Sequence, residues 1–154
     1  MKVNRSTLAV ASPAFAHGTR LPDRFTSHGE GISPPLTWTG APEGTQSFAI
    51  LSQDADAPIV GGFAHWMIWD IPGDATSIAE GDSTYPSGEI GIGRRGWFPP
   101  SPLPGHGDHF YYFHLYALDQ PLDLEPGCDL ATFHAAVEEH VLGQARIVGL
   151  YSAG

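Results

Sequence analysis

The stretch GHGDHFYYFHLYALD, residues 105–119, decides the fold class. A glycine loop bearing His106, Asp108 and His109 runs straight into a block of aromatic and aliphatic residues that reads as a buried strand. Alternation along a strand puts His109, Tyr111 and Phe113 on one face and turns His114 to the other. Three titratable side chains at the mouth of the most apolar strand predict a pocket there.

Working outward, SFAILSQ (47–53) reads as a second strand with Phe48, Ile50 and Ser52 on one face. It runs into DADAP, where Pro58 ends the ladder. The run FAHWMIWDI (63–71) is apolar on both faces except for His65 near its start and Asp70 near its end. That pattern predicts a central strand covered on both sides. A short strand is expected at Leu36-Thr37-Trp38 and a last one in ARIVGLYSAG. Leu8 and Val10 alternate with Thr7 and Ala9, so the N-terminal segment reads as a first strand. The alternative there is a signal peptide, since Ala14-Phe15-Ala16 resembles a cleavage site.

The single helix is predicted over DLATFHAAVEEHVLG (129–143). Asp129 is its N-cap, Leu130, Phe133, Val137 and Val141 form its apolar stripe, and Gly143 is its stop. Residues 72–104 form a long excursion rich in Pro and Gly, of the kind that is often functional. The chain is thus read as one mostly β domain over residues 1–154. Its 19 Gly and 14 Pro, spread between apolar runs, fit many short strands and exclude a helical bundle.

The formal net charge of −10 excludes a general nucleic-acid binder, which needs a basic surface to displace counterions from phosphate. Anionic membrane is disfavoured for the same reason, and no apolar run approaches the length of a membrane span. Cys128 is the only cysteine, so no intrachain disulfide can form and secretion gains no support. No Gly-x-Ser-x-Gly and no His-Glu-x-x-His occurs, and GIGRRG (91–96) lacks the context of a phosphate loop. Neither an enzyme nor a cofactor is expected.

Three polar clusters fall at strand ends: Asp54 with Asp56, then His65, then His106 with Asp108 and His109. If these strands are neighbours, two histidines, two carboxylates and an aromatic wall converge on one concavity. His106, Asp108, His109 and His65 are also Zn²⁺ ligands by residue type, which makes a metal-dependent hydrolase the chemical rival. His17, His28, His134 and His140 show no partners in the sequence.

The segments GISPPLTWTGAPEGTQSF, DADAP, AHW and GHGDHFYYFHLYALD, in this order, resemble the phosphatidylethanolamine-binding protein family, which includes the Raf kinase inhibitor proteins. The small bacterial and archaeal branch is the nearest in pattern. The resemblance implies a large central antiparallel sheet, a second smaller sheet and a helix near the C-terminus. It further implies a pocket for phosphate, phosphomonoester or carboxylate, with Asp54, Asp56, His65, His109 and Tyr111 as its polar residues. Trp66 follows the pocket histidine, and Trp97 opens the flanking loop that runs to Gly107. Both are expected as apolar rim contacts.

Three residues depart from the family pattern. Ala55 stands where a proline separates the two aspartates, and Phe110 stands where arginine is usual, which is expected to remove a cation beside the pocket. Phe98-Pro99-Pro100 replaces a glycine-proline pair. The function implied is a cytoplasmic, cofactor-free anion-binding protein. The alternative is an inhibitor of a protein kinase or serine protease, acting through surface around the pocket such as the 85–104 loop. Small members of the family often pair, so a homodimer is also implied.

Overall fold

The computed structural model describes residues 7–54, 63–90, 95–102, 104–105 and 107–152. Asp56 and His106, both named above, lie outside these residues. Among the described residues, eight strands and one α-helix follow in the order β1 (Ala9–Ala11), β2 (Thr19–Arg20), β3 (Leu36–Thr39), β4 (Ser47–Asp54), β5 (Phe63–Pro72), β6 (Ser77–Ile78), β7 (His109–Leu118), α1 (Leu130–His140) and β8 (Val141–Tyr151). The mostly β expectation holds, with two sheets and a late helix.

A three-stranded sheet has the order β1-β3-β6 and a five-stranded sheet the order β2-β8-β7-β4-β5. All pairs are antiparallel except β2 with β8. Trp38, Phe48, Ile50, Trp66, Phe113 and Ile147 belong to one apolar core shared by the two sheets. On the opposite face of the five-stranded sheet, Ala49, Leu51, Met67 and Trp69 pack with Phe133 and Val137 of α1. These two layers explain why β4 and β5 are apolar on both faces.

Two expectations need correction. First, β5 is covered on both faces as predicted, yet it is the edge strand of its sheet. Its outer backbone groups bond to the excursion instead of to a strand: Trp69 N–H donates to Pro86 O, Gly88 N–H to Met67 O, and Phe98 N–H to His65 O. An apolar edge strand is an aggregation hazard, and a loop that takes its free hydrogen bonds removes that hazard. Second, Gly143 does not stop the helix. Helix α1 ends at His140, Val141 is already extended, and Gly143 pairs with Ala117 inside β8. The β-branched Val141, opposite Leu118, gains a strand partner by leaving the helix one residue past its last turn. The N-terminal end matches the reading, with the Asp129 side chain accepting from Thr132 N–H at 2.9 Å.

Candidate functional site

Antiparallel pairing brings the end of β4 against the beginnings of β5 and β7. Asp54 lies opposite Phe63 on one side and opposite Tyr111 on the other. The adjacency on which the sequence reading depended is therefore present. Period-two alternation then carries His109 and Tyr111 to the face shared with Phe113, which belongs to the intersheet core.

His65 reaches this site through a defect in the ladder. The register steps from Ser52↔Trp66 to Gln53↔Ala64, which makes His65 the extra residue of a β-bulge. A bulge re-aims a side chain that regular pleating would send elsewhere. Here it sets the His65 ring 5.3 Å from Tyr111, edge to face, beside the intersheet core.

The central contact is a 2.6 Å hydrogen bond from His109 Nδ1 to Asp54 Oδ2. Asp54 is 4% exposed, His65 4% and His109 6%, so each polar group depends on protein partners rather than bulk water. The His109 ring stacks on Tyr111 at 6.3 Å with 20° between planes. The carbonyl of Phe98 lies 2.7 Å from His65 Nδ1. A carbonyl can only accept, so His65 carries its hydrogen on Nδ1. The Phe98 ring also stacks on His65, at 5.6 Å and 25°. Burial pushes the His65 imidazole below its ordinary value. The Phe98 hydrogen bond and the Asp54 carboxylate oppose that shift, and His109 adds to it.

Trp66 is almost wholly buried and meets Trp97 edge to face at 5.7 Å, so it is an inner wall and not a rim residue. Trp97 is held by its Nε1–H donating to Phe25 O at 3.2 Å and by stacking on Phe113 at 5.9 Å. Its ring lies 6.3 Å from His65. Phe110 alternates away from His109 and Tyr111 and is 40% exposed. The expectation that it replaces a cation beside the pocket is corrected: strand alternation turns this position to the outer face. Asp108 is exposed. Among the described residues no group of three or more His, Cys, Asp or Glu is arranged to hold a metal ion.

Phe98 is a site residue that the sequence reading passed over as a mere loop departure. It acts through its backbone, which no residue type advertises. Tyr151, the register partner of His109, was also missed. It is buried, and its hydroxyl donates to Asp23 at 2.7 Å and lies 2.8 Å from His28 Nδ1. His28 thus has a partner. So do His140, whose Nδ1 is 2.9 Å from Asp119, and His17, whose Nδ1 accepts from Val148 N–H.

A two-sheet β protein with a buried Asp–His pair and a bulged second histidine at one end of its larger sheet is thus the class defined by the geometry. The sequence profile described as phosphatidylethanolamine-binding protein matches residues 11–152, and the chain belongs to that family. A UPF0098 protein of Methanothermobacter thermautotrophicus is 42% identical over 151 residues, covering 92% of this chain and 96% of the relative. LppC of Mycobacterium tuberculosis, which carries a lipoprotein's name, is 38% identical over 149 residues, covering 94% of this chain and 72% of its own length.

Among solved structures, YbcL of E. coli, described as a new member of the mammalian family, superposes with a TM-score of 0.90 at 26% identity. That match covers 97% of this chain and 100% of YbcL. The family homologue CT736 of Chlamydia trachomatis gives 0.88 at 30% identity, covering 96% and 98% of the two chains. Among the described residues no helix is long and apolar enough to cross a membrane.

Proposed function

We propose that this protein binds a small anion, phosphate, phosphomonoester or carboxylate, without transforming it, at Asp54, His65, His109 and Tyr111. The observation that carries the reading is the Asp54–His109 hydrogen bond of 2.6 Å beside a second buried histidine. Asp54 fixes the orientation of one imidazole, and the Phe98 carbonyl fixes that of the other. Preset donors cost little ordering when a ligand arrives. Because burial lowers His65, the proton that would attract an anion is taken up on the acid side of the ordinary imidazole range. Anion affinity is therefore expected to rise on acidification. The cytoplasm is the compartment expected from the sequence, and the lipoprotein name of one relative is the observation that competes with it.

The test is calorimetric titration of phosphate and short phosphomonoesters at about pH 5.5 and about pH 8, either side of the ordinary imidazole value. Wild type and His109→Ala are compared. Binding that weakens at the higher pH and disappears in the variant supports the reading. No heat of binding at either pH overturns it, and favours docking of a protein partner around the site instead.

A further inference from the structure

A concavity of about 260 Å³ opens beside β5, bounded by the strand, residues 31–33 and the segments 81–87 and 95–97. It shares Trp66 and Trp97 with the site above and contains none of Asp54, His65, His109 and Tyr111. Its apolar lining is Ile32, Trp66, Ile68, Tyr85 and Trp97. Trp66 is almost wholly buried and meets Trp97 edge to face at 81°, so the aromatic surfaces open to the concavity are those of the half-buried Trp97 and Tyr85. Aromatic walls of this kind suit a flat ring. Trp97 is also held in place, since it is tied to Phe25 O and stacked on Phe113.

Two charged side chains share the lining, Arg95 and Asp82. They are not equivalent. Asp82 Oδ1 accepts from both the backbone N–H and the hydroxyl of Thr84, at 2.9 and 2.7 Å, so that oxygen is engaged within a turn. Arg95 is exposed, and its guanidinium is the cation available to a ligand that enters with an acidic group. A planar fork of this kind matches a carboxylate in two parallel hydrogen bonds. The volume sets the size: a dry cavity of about 150 Å³ takes one benzene ring, so this one takes a ring with a short arm.

We infer that this concavity is a binding site for a monocyclic aryl carboxylate whose ring lies against Trp97 and Tyr85 and whose carboxylate meets Arg95. The inference uses none of Asp54, His65, His109 and Tyr111 and does not depend on the proposed anion site.

The test uses phenylacetate as the probe on the full chain, followed by amide and indole NMR shifts. The expected result is saturable movement of the Trp66 and Trp97 indole signals and of amides in 81–87, with Arg95→Gln weakening binding about tenfold or more. Phenylacetamide should show the same loss on wild type. Four results would overturn the inference. One is no saturation up to about 10 mM. Another is shifts centred on residues 52–54 and 107–111, which would place the probe in the first site. The third is tighter binding of phenethylamine than of phenylacetate, which would give the recognition to Asp82. Equal binding by Arg95→Gln would likewise remove the assigned charge contact.

Discussion

The Asp54–His109 pair lends itself to a double-mutant cycle, because its worth can be bounded in advance. Both side chains are buried and the bond is 2.6 Å long. A hydrogen bond with a charged partner contributes about 1.5–3 kcal/mol, and a buried polar group left without its partner costs about 1–3 kcal/mol more. Asp54→Ala takes the carboxylate from a buried imidazole N–H, which places its cost at about 3–5 kcal/mol. His109→Ala takes a partner from a carboxylate that is only 4% exposed, so its cost is expected in the range for a broken buried pair, about 3–5 kcal/mol. The double variant removes both groups at once and should cost about 2 kcal/mol less than the sum of the singles. Urea unfolding read by tryptophan fluorescence measures all four corners, and equal m-values would confirm that the unfolded states are comparable. Additivity to within about 0.5 kcal/mol would refute the claim that this bond organises the site.

Stability should also fall with acid on the opposite face of the sheet. His114, stacked between Tyr112 and Tyr116, is lowered to about 4, first by burial and then by Arg146 and His134. Its folded value lies below its unfolded one, so the unfolded chain binds the extra proton between about pH 6.5 and 4. Its contribution is complete above pH 6.5 and is lost as pH falls, by at most about 1.4 kcal/mol per pH unit; His65, lowered too, acts in the same direction. NMR titration of His114 reads this directly, and a midpoint near the ordinary imidazole value would contradict it. Gly149→Ala should destabilise by about 1–3 kcal/mol through overpacking. A Cβ there would lie 2.6 Å from Leu21 Cδ2, and Leu21 is wholly buried. An unchanged melting temperature would show that β2 yields without cost.

The strands were legible because alternation and turn residues state them locally. In β7 burial alternates residue by residue from His109 to Tyr116, with the period of two expected of a strand. What escaped was non-local. Nothing in FAHWMIWDI distinguishes a central strand from an edge strand whose backbone is satisfied by a loop some twenty residues on. The bulge at His65 is equally silent, since it depends on how β4 and β5 slip past each other. Gly143 misled for a different reason: glycine after a helical pattern is a good stop signal, but pairing of Val141 with Leu118 ended the helix first. That Asp54, His65, His109 and Tyr111 come together was legible because polar side chains at strand ends announce themselves. Phe98 was missed because its carbonyl does the holding.

The position of β8 has a consequence during synthesis. It is the last strand in the described chain, yet it lies inside the larger sheet, with β7 on one side and β2 on the other. Until it emerges from the ribosome, β7 presents a bare edge and β2 has nothing to pair with. At ordinary translation speeds the stretch from Leu118 to Tyr151 takes roughly 2–7 s to add. For that interval a nascent chain carries an aromatic strand with one edge unpaired, the kind of surface that neighbouring chains on a polysome can capture. Slow codons after residue 118 would lengthen the exposure, and a chaperone that shields strand edges would matter most in that window.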